Sequence, residues 1–308
     1  MSEKKYLADR FLDDSYSEET RRHVTTLTIA RLTSNACFRY APPFLASISD
    51  DFQISLSRLG LALMITEIAM GISPVLGRFV DRMHRRTAMA GGLLAISGAA
   101  TIAAASPSVW IFVLGMLLIA VAKFIFDIGL ASWVNDHVEY EKRGRVIGFT
   151  ETSWALGLLI GVTAMGLVAS ATSWRWGYAV GAISVAIMAI VVMTRLDGHD
   201  VAGSQRSKDT TKYPMPRNGY WIFAAMFFLM AASQTLFVTF GSWLEDEFGF
   251  TEAGISAVVF GLGAFELLAS VTSARRTDTW GKERSTIFGA LLILPAGLLL
   301  TVGHNNAI

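Results

Sequence analysis

The sequence predicts an all-α integral membrane protein, and three observations carry that prediction. Hydrophobic residues fill 53% of the 308 positions. Charged residues fill only 17%, against about 25% in an ordinary soluble domain. The charges also cluster, leaving long runs almost free of them; mean hydropathy is +0.46. A single soluble core needs less apolar material and a more charged surface. A soluble enzyme, a disordered chain and a secreted disulfide scaffold are therefore disfavoured. The net charge of +1 provides no basic field for nucleic acid. The one cysteine, Cys37, lies in an apolar run and is silent about redox compartment.

A helix needs about 20 apolar residues to cross roughly 30 Å of hydrocarbon. Nine segments meet that need: 24–48, 57–79, 88–105, 109–134, 146–169, 176–194, 219–243, 253–274 and 286–303. The ten-residue alternation of a β-barrel is absent. Residues 1–23 are charged throughout and lack the apolar stretch of a cleavable signal, so they read as a tail. Trp110, Trp133, Trp174, Trp176, Trp221 and Trp243 fall at proposed span ends, where amphipathic rings prefer the headgroup layer. Trp154 is the exception, inside the fifth span.

Basic residues set the orientation. Lys4, Lys5, Arg10, Arg21 and Arg22 precede span one, and loops 2–3, 4–5, 6–7 and 8–9 are each rich in Lys and Arg. The intervening loops hold only Arg58 and Arg175 near their edges, and loop 7–8 is acidic. The positive-inside rule then places the N-terminus in the cytoplasm and, for nine spans, the C-terminus outside. The expected location is the plasma (inner) membrane.

Loop 2–3 reads Gly77-Arg-Phe-Val-Asp81-Arg82-Met-His84-Arg85-Arg86. It resembles the G-x-x-x-D-R-x-G-R-R signature of the major facilitator superfamily, with His84 in place of the second glycine. Loop 8–9 carries a degraded copy 197 residues later: Asp278, Gly281 and Lys282 fit, whereas Ala274, Thr279 and Glu283 do not. Glu141-Lys-Arg143-Gly144-Arg145 looks like the family's loop 4–5. The family's span-four arginine would fall at Met116, so that motif is missing. The antiporter-type glycine motif of span five lands on Gly157, Gly161 and Gly166, without its proline and one of its glycines.

This resemblance implies a major-facilitator-type helical bundle built of two similar halves. Residues 1–23 are the cytoplasmic tail, 24–195 the six-span N-terminal bundle, 196–218 a cytoplasmic linker and 219–308 a partial C-terminal bundle of three helices. The family's twelve spans predict about 390–400 residues, so the chain is expected to be truncated after its ninth span. Asp81 and Arg82, with Gly77, Arg85, Arg86 and the second-copy residues, are implied to serve gating, Asp81 as the latch of the outward-facing state.

Polar groups inside spans need reasons, because a mid-bilayer charge costs at least ~2.5–3.5 kcal/mol. Thr28, Arg31, Asn35 and Arg39 share one face of span one. Arg31 either snorkels to the cytoplasmic surface or lines a cavity, and Arg39, deeper, is a candidate cavity cation. Glu67 lies near mid-membrane, where desolvation raises a carboxyl's pKa. It is either a proton carrier or a static partner of Arg39 or Lys123. Lys123 and Asp127 are four apart and can pair along span four, either as a self-neutralising structural pair or as a cavity salt bridge that breaks when substrate or proton arrives. Glu151 is expected to meet Arg143 or Arg145, or else the cavity. Glu266 has no base near it in sequence and is a second proton-site candidate. Gln234 offers a neutral hydrogen bond, while Thr235 and Thr239 are expected to bond back to their own helix.

No phosphate-cradling loop, H-E-x-x-H or G-x-S-x-G occurs, so ATP hydrolysis, zinc and serine chemistry have no basis here. No catalytic residue, cofactor or metal is assigned. The leading expectation is a secondary active transporter, a proton-coupled exporter of a small organic molecule. Uptake of an anionic metabolite and a truncated, non-transporting membrane protein are the alternatives. The expected partners are the substrate, protons and lipid, with no nucleic acid, for a monomeric chain.

Overall fold

A polar segment turns into a membrane helix at Ser17, whose hydroxyl accepts from the Thr20 amide at 3.0 Å. Glu18 and Glu19 follow in the first turn, where negative charge suits the helix dipole. The computed structural model describes residues 5–69, 77, 80, 82–196 and 217–303; for 67–69, 273–279, 282, 286, 296 and 299–303 it describes the backbone alone. All regular structure among the described residues is helical.

Span one begins earlier and breaks sooner than the hydropathy suggests. Helix α1 covers Glu18–Arg39, a 3-10 turn covers Pro42–Phe44, and α2 covers Leu45–Asp51. Two consecutive prolines donate no backbone N–H, so the α-helical ladder stops before them. Helix α3 spans Leu56–Ala69, α4 Arg85–Ala104 and α5 Val109–His137. Span five is α6 (Arg143–Leu156), a π-helical stretch Gly157–Val162, and α7 (Thr163–Ala171). Then come α8 (Trp174–Arg195), α9 (Arg217–Phe248), α10 (Glu252–Trp280) and α11 (Lys282–Gly303). Each apolar segment read from the sequence contains a helix.

The repeat survives folding. Helices α3 and α4 start at Leu56 and Arg85, and α10 and α11 at Glu252 and Lys282, offsets of 196 and 197 residues. The two connecting turns differ where the sequences differ. Gly281 takes φ +89°, which favours glycine. At the matching place His84 is extended, φ −61°, ψ 134°, a conformation open to any residue.

The core forms where α4 packs on α5 and α8, and α1 packs on α8 and on span five. The glycines of span five permit the last contact. A Cβ at Gly157 would stand 2.8 Å from Asn35 Cβ, and one at Gly161 would collide with Ala36. Small residues let membrane helices approach closely, and π turns break helical register at such places. Gly166 faces Phe44 and Ser256 instead, so it serves the contact with α10.

Helix α10 lies along span five, and α9 meets the Pro42–Phe44 turn and α2. Cβ atoms at Gly241 and Gly263 would run into the Pro43 carbonyl and the Leu159 backbone. The Gly241 contact sits towards the end of the bundle opposite the basic loops, and the Gly263 contact near the middle of span five. An aromatic cluster anchors the turn beneath them: Tyr40 packs edge-on to Tyr178 at 4.8 Å, and its hydroxyl donates to the Trp174 carbonyl at 3.1 Å.

Two of the tryptophans read as interface markers are buried instead. Trp174 belongs to this cluster and Trp133 stacks on His137 at 4.7 Å; in both cases ring packing inside the bundle outweighs the headgroup preference. Trp110, Trp176 and Trp221 are exposed as a belt requires. Arg175, the basic exception in loop 5–6, also has a structural task. It donates to the Ser106 carbonyl at 2.6 Å, pairs with Asp51 at 2.7 Å and lies over the Trp174 ring.

The tail is docked rather than free over its described part. Ala8, Leu12 and Tyr16 are buried, and Phe11 meets Phe149 at 5.0 Å. Asp13 pairs with Arg145 at 2.5 Å, and Tyr16 donates to the Lys142 carbonyl at 3.0 Å. Hydrogen bonds from the Ser15 hydroxyl and amide, then from Arg145, hold the Asp13 carboxyl below the usual carboxylate range.

The span-one contact yields a test. Gly161→Val overpacks it and is expected to cost about 1–3 kcal/mol, read as a lower melting temperature of the detergent-solubilised protein. Gly98→Val is the control, because nothing lies within 4 Å of a Cβ there. Equal melting of the two variants would contradict the packing described.

Candidate functional site

The polar residues of span one reach the functional region along a single helix face. Thr28 bonds back to Val24, and Asn35 donates to Ser153 at 3.3 Å, tying α1 to α6. Arg31 pairs with Asp127 of α5 at 3.2 Å and with Glu151 of α6 at 2.7 Å. Lys123 reaches the same Asp127 at 2.6 Å. Two cations and two carboxylates thus form one neutral cluster joining three helices.

Arg39 lies at the end of α1, immediately before the break. Its guanidinium donates to Glu266 of α10 at 2.9 Å and to the Trp154 carbonyl at 3.0 Å. It also lies 4.7 Å from the Trp154 ring and 4.8 Å from the Phe237 ring of α9. The Lys123 ammonium stands 5.9 Å from the same indole. Trp154 therefore separates two charged groups, the neutral cluster towards the basic loops and the Arg39–Glu266 pair.

Beside Arg39 lies a cavity of about 260 Å³. Phe38, Trp154, Phe237, Met116, Leu63 and Met64 give it an apolar and aromatic wall, while Arg39, Gln234 and Thr66 contribute polar groups. The Thr66 hydroxyl is already bonded back to the Leu63 carbonyl. Such a wall suits a small organic molecule with an apolar body and few polar points.

Several expectations meet this geometry differently. Arg39, Gln234 and Trp154 come together at the cavity, while Asn35 lies in the helix contact. Arg39 and Lys123 have carboxylate partners in Glu266 and Asp127; the Glu67 side chain lies outside the described residues. Glu151 meets Arg31, not Arg143 or Arg145. Arg143 instead donates to the Val138 and Asn135 carbonyls at the end of α5, and Arg145 binds Asp13. Arg31 is thereby fixed in a pair on each side instead of reaching the surface alone. Thr235 and Thr239 bond back along their helix.

In the loop motif, Arg85 pairs with Asp136 at 2.8 Å and Arg86 donates to the Leu196 carbonyl at 3.3 Å. Gly77 is partly buried and Arg82 is exposed. Asp81 lies outside the described residues, as do the side chains of Asp278 and Lys282. Sequence reasoning missed Phe237, which follows Gln234 by three residues and shares its helix face.

The paired cluster makes a prediction. Asp127→Asn leaves Lys123, whose side chain is 4% exposed, without its carboxylate. Removing one partner of a buried pair costs about 3–5 kcal/mol, read as a large fall in melting temperature. The double variant Lys123→Met/Asp127→Asn should recover most of that loss, because Arg31 retains Glu151. A double variant no more stable than Asp127→Asn would refute the pairing.

A family model described as the Major Facilitator Superfamily matches residues 27–306. The chain is 27% identical over 269 residues to the uncharacterized MFS-type transporter YwfA of Bacillus subtilis, covering 83% of this chain and 64% of YwfA. It is 22% identical over 272 residues to multidrug resistance protein 1 of the same organism, covering 85% and 69%. Among solved structures, a bacterial homolog of the human lysosomal transporter Spinster, inward-facing and unoccupied, matches with a TM-score of 0.66 at 13% identity. That match covers 87% of this chain and 64% of the Spinster homolog.

Proposed function

The chain belongs to the Major Facilitator Superfamily, and on that premise we propose that it takes part in proton-coupled export of a small organic molecule across the plasma membrane. The observation that carries this reading is the cavity of about 260 Å³ with Arg39 of α1 on its wall, the guanidinium being paired behind that wall with Glu266 of α10. In a transporter of two rocking halves, a group held by both is remade at each change of access. Glu266 is the carboxylate in that position. Proton uptake there would release Arg39, and loss of the proton would restore the pair. Among the described residues, the other charged groups nearby are Lys123 across the Trp154 ring and, through it, Asp127, Arg31 and Glu151.

The direction is supported by two facts. The halves are closed against each other at the end away from the basic loops, so loading from the basic, cytoplasmic side is the available step. One relative is named for multidrug resistance, a property that export confers. Gln234 and the loop motif with Asp81 and Arg82 are assigned to substrate contact and gating in this reading. Uptake of an organic anion is the second reading, favoured by Arg39 lining the cavity while Glu266 does not.

Energised inverted vesicles with an acidic lumen separate the readings. Cationic, neutral and anionic aromatic compounds are added outside, and a pH-reporting acridine dye is followed. Export predicts that at least one compound dissipates the pH gradient, and that Glu266→Gln abolishes the response. Glu67→Gln tested in parallel decides between the two carboxylates. A response only with lumen-loaded anions favours uptake, and no response from any compound refutes both.

Orientation has its own test. Cys37 is fully buried, so engineered cysteines report against a quiet background. In intact cells an impermeant maleimide should label Thr172→Cys and spare Glu141→Cys, both at exposed positions. Equal labelling would refute a cytoplasmic N-terminus.

A further inference from the structure

The surroundings of the Arg39 guanidinium are unusual for a structural ion pair. A carboxylate oxygen stands at 2.9 Å, a main-chain carbonyl at 3.0 Å, and two aromatic rings at 4.7 and 4.8 Å. The ring quadrupoles present negative faces to a cation, and such rings with a nearby carboxylate are the means by which proteins hold organic cations. The ring and carbonyl of Trp154 come from α6, the Phe237 ring from α9, and the Glu266 carboxylate from α10. Among the described residues, the hydrogen-bond and ring partners of the guanidinium are all acceptors or π faces, and the open cavity lies directly alongside.

We propose that this box is a binding site for a planar organic cation, such as an aryl guanidinium, amidinium or ammonium, and that Arg39 is its resident, tethered occupant. This rests on the reading of the cavity as the substrate site and names the substrate class that the site takes. The cationic head of the substrate displaces the Arg39 guanidinium from Glu266, Trp154 and Phe237, and its apolar body fills the space lined by Phe38, Met116, Leu63 and Met64. Arg39 belongs to the wall of that space and is attached through a long flexible stem, so it withdraws along the cavity without backbone movement. A tethered competitor acts at an effective concentration in the millimolar range. It therefore makes the site weak for free cations and guards it against small ones, because only a ligand that also buries an apolar body gains enough to displace it.

Charge alone does not decide between this proposal and its opposite, an anion that binds Arg39 after displacing Glu266. The rings do. An anion at Arg39 would sit against the negative faces of Trp154 and Phe237, whereas a cation at Glu266 uses both. The two proposals also predict opposite signs for the same substitutions.

The experiment is equilibrium binding to the purified chain in lipid nanodiscs, with phenylguanidinium and benzoate as probes. Arg39→Gln removes the resident cation and should tighten phenylguanidinium about tenfold, and adding Glu266→Gln to Arg39→Gln should weaken it at least as much. Phe237→Leu keeps the Glu266 carboxylate and removes one ring. Added to Arg39→Gln, where no resident cation competes, it should weaken phenylguanidinium several-fold; Arg39→Met takes the place of Arg39→Gln if the latter proves unstable by size-exclusion chromatography.

Benzoate binding that is lost in Arg39→Gln and strengthened in Glu266→Gln would overturn the proposal in favour of an anion site. Phenylguanidinium binding that is unchanged when Phe237→Leu or Glu266→Gln is added to the Arg39 variant, or absent from every variant, overturns it too. The vesicle assay reads proton movement with compounds of every charge. Export of a neutral compound there would refute the cation site and leave the transport reading standing.

Discussion

Charge buried in a hydrocarbon layer has to be neutralised, and the interior of this bundle is organised by that requirement. An unpaired ion at mid-bilayer depth costs several kcal/mol, more than most single contacts return. Arg31, Lys123, Asp127 and Glu151 meet the requirement inside the N-terminal bundle, and Arg39 meets it with Glu266. Under the proposed rocking of two halves, the two sets differ in function. The first joins helices of the same bundle, so relative motion of the halves leaves it intact. The second joins α1 to α10 and cannot survive such motion unchanged. A proton or a ligand cation is what can take the place of a missing partner, which makes the second pair the natural seat of coupling.

Packing assigns the other half of the work to residues with little or no side chain. Gly157 and Gly161 let α1 lie against span five, fixing Arg39 beside Trp154. Gly241, Gly263 and Gly166 bring α9 and α10 against the Pro43 carbonyl, the Leu159 backbone and the Phe44 ring. In lipid there is no hydrophobic drive to hold helices together, so close backbone approach supplies the contact energy.

The membrane class, the apolar segments and the internal repeat were legible in the sequence because hydrophobic runs and motif spacing are one-dimensional signals. The site was legible only in part. Arg39, Lys123 and Glu266 stood out as charges in apolar runs, but their partners depend on which helices meet. Arg39 and Glu266 are 227 residues apart, and nothing local in the sequence points from one to the other. The i, i+4 pair of Lys123 and Asp127 was readable because helix geometry fixes it. Trp133 and Trp174 misled because an indole suits a headgroup layer and an aromatic core equally. Trp154 was visible as a tryptophan out of place, and that displacement is what brings it to Arg39.

The contact between Gly241 and the Pro43 carbonyl gives the closed end of the bundle a property that side-chain seals lack. Two main chains in contact, one pinned by prolines and the other carried by a long helix, have no rotamers to adjust. The closure therefore works as a mechanical stop. In the proposed rocking cycle the stroke ends where backbone meets backbone, set by covalent geometry and not by the changing fit of side chains. Leakage past such a stop requires the whole half to move, so the barrier to slip and the barrier to opening are one and the same.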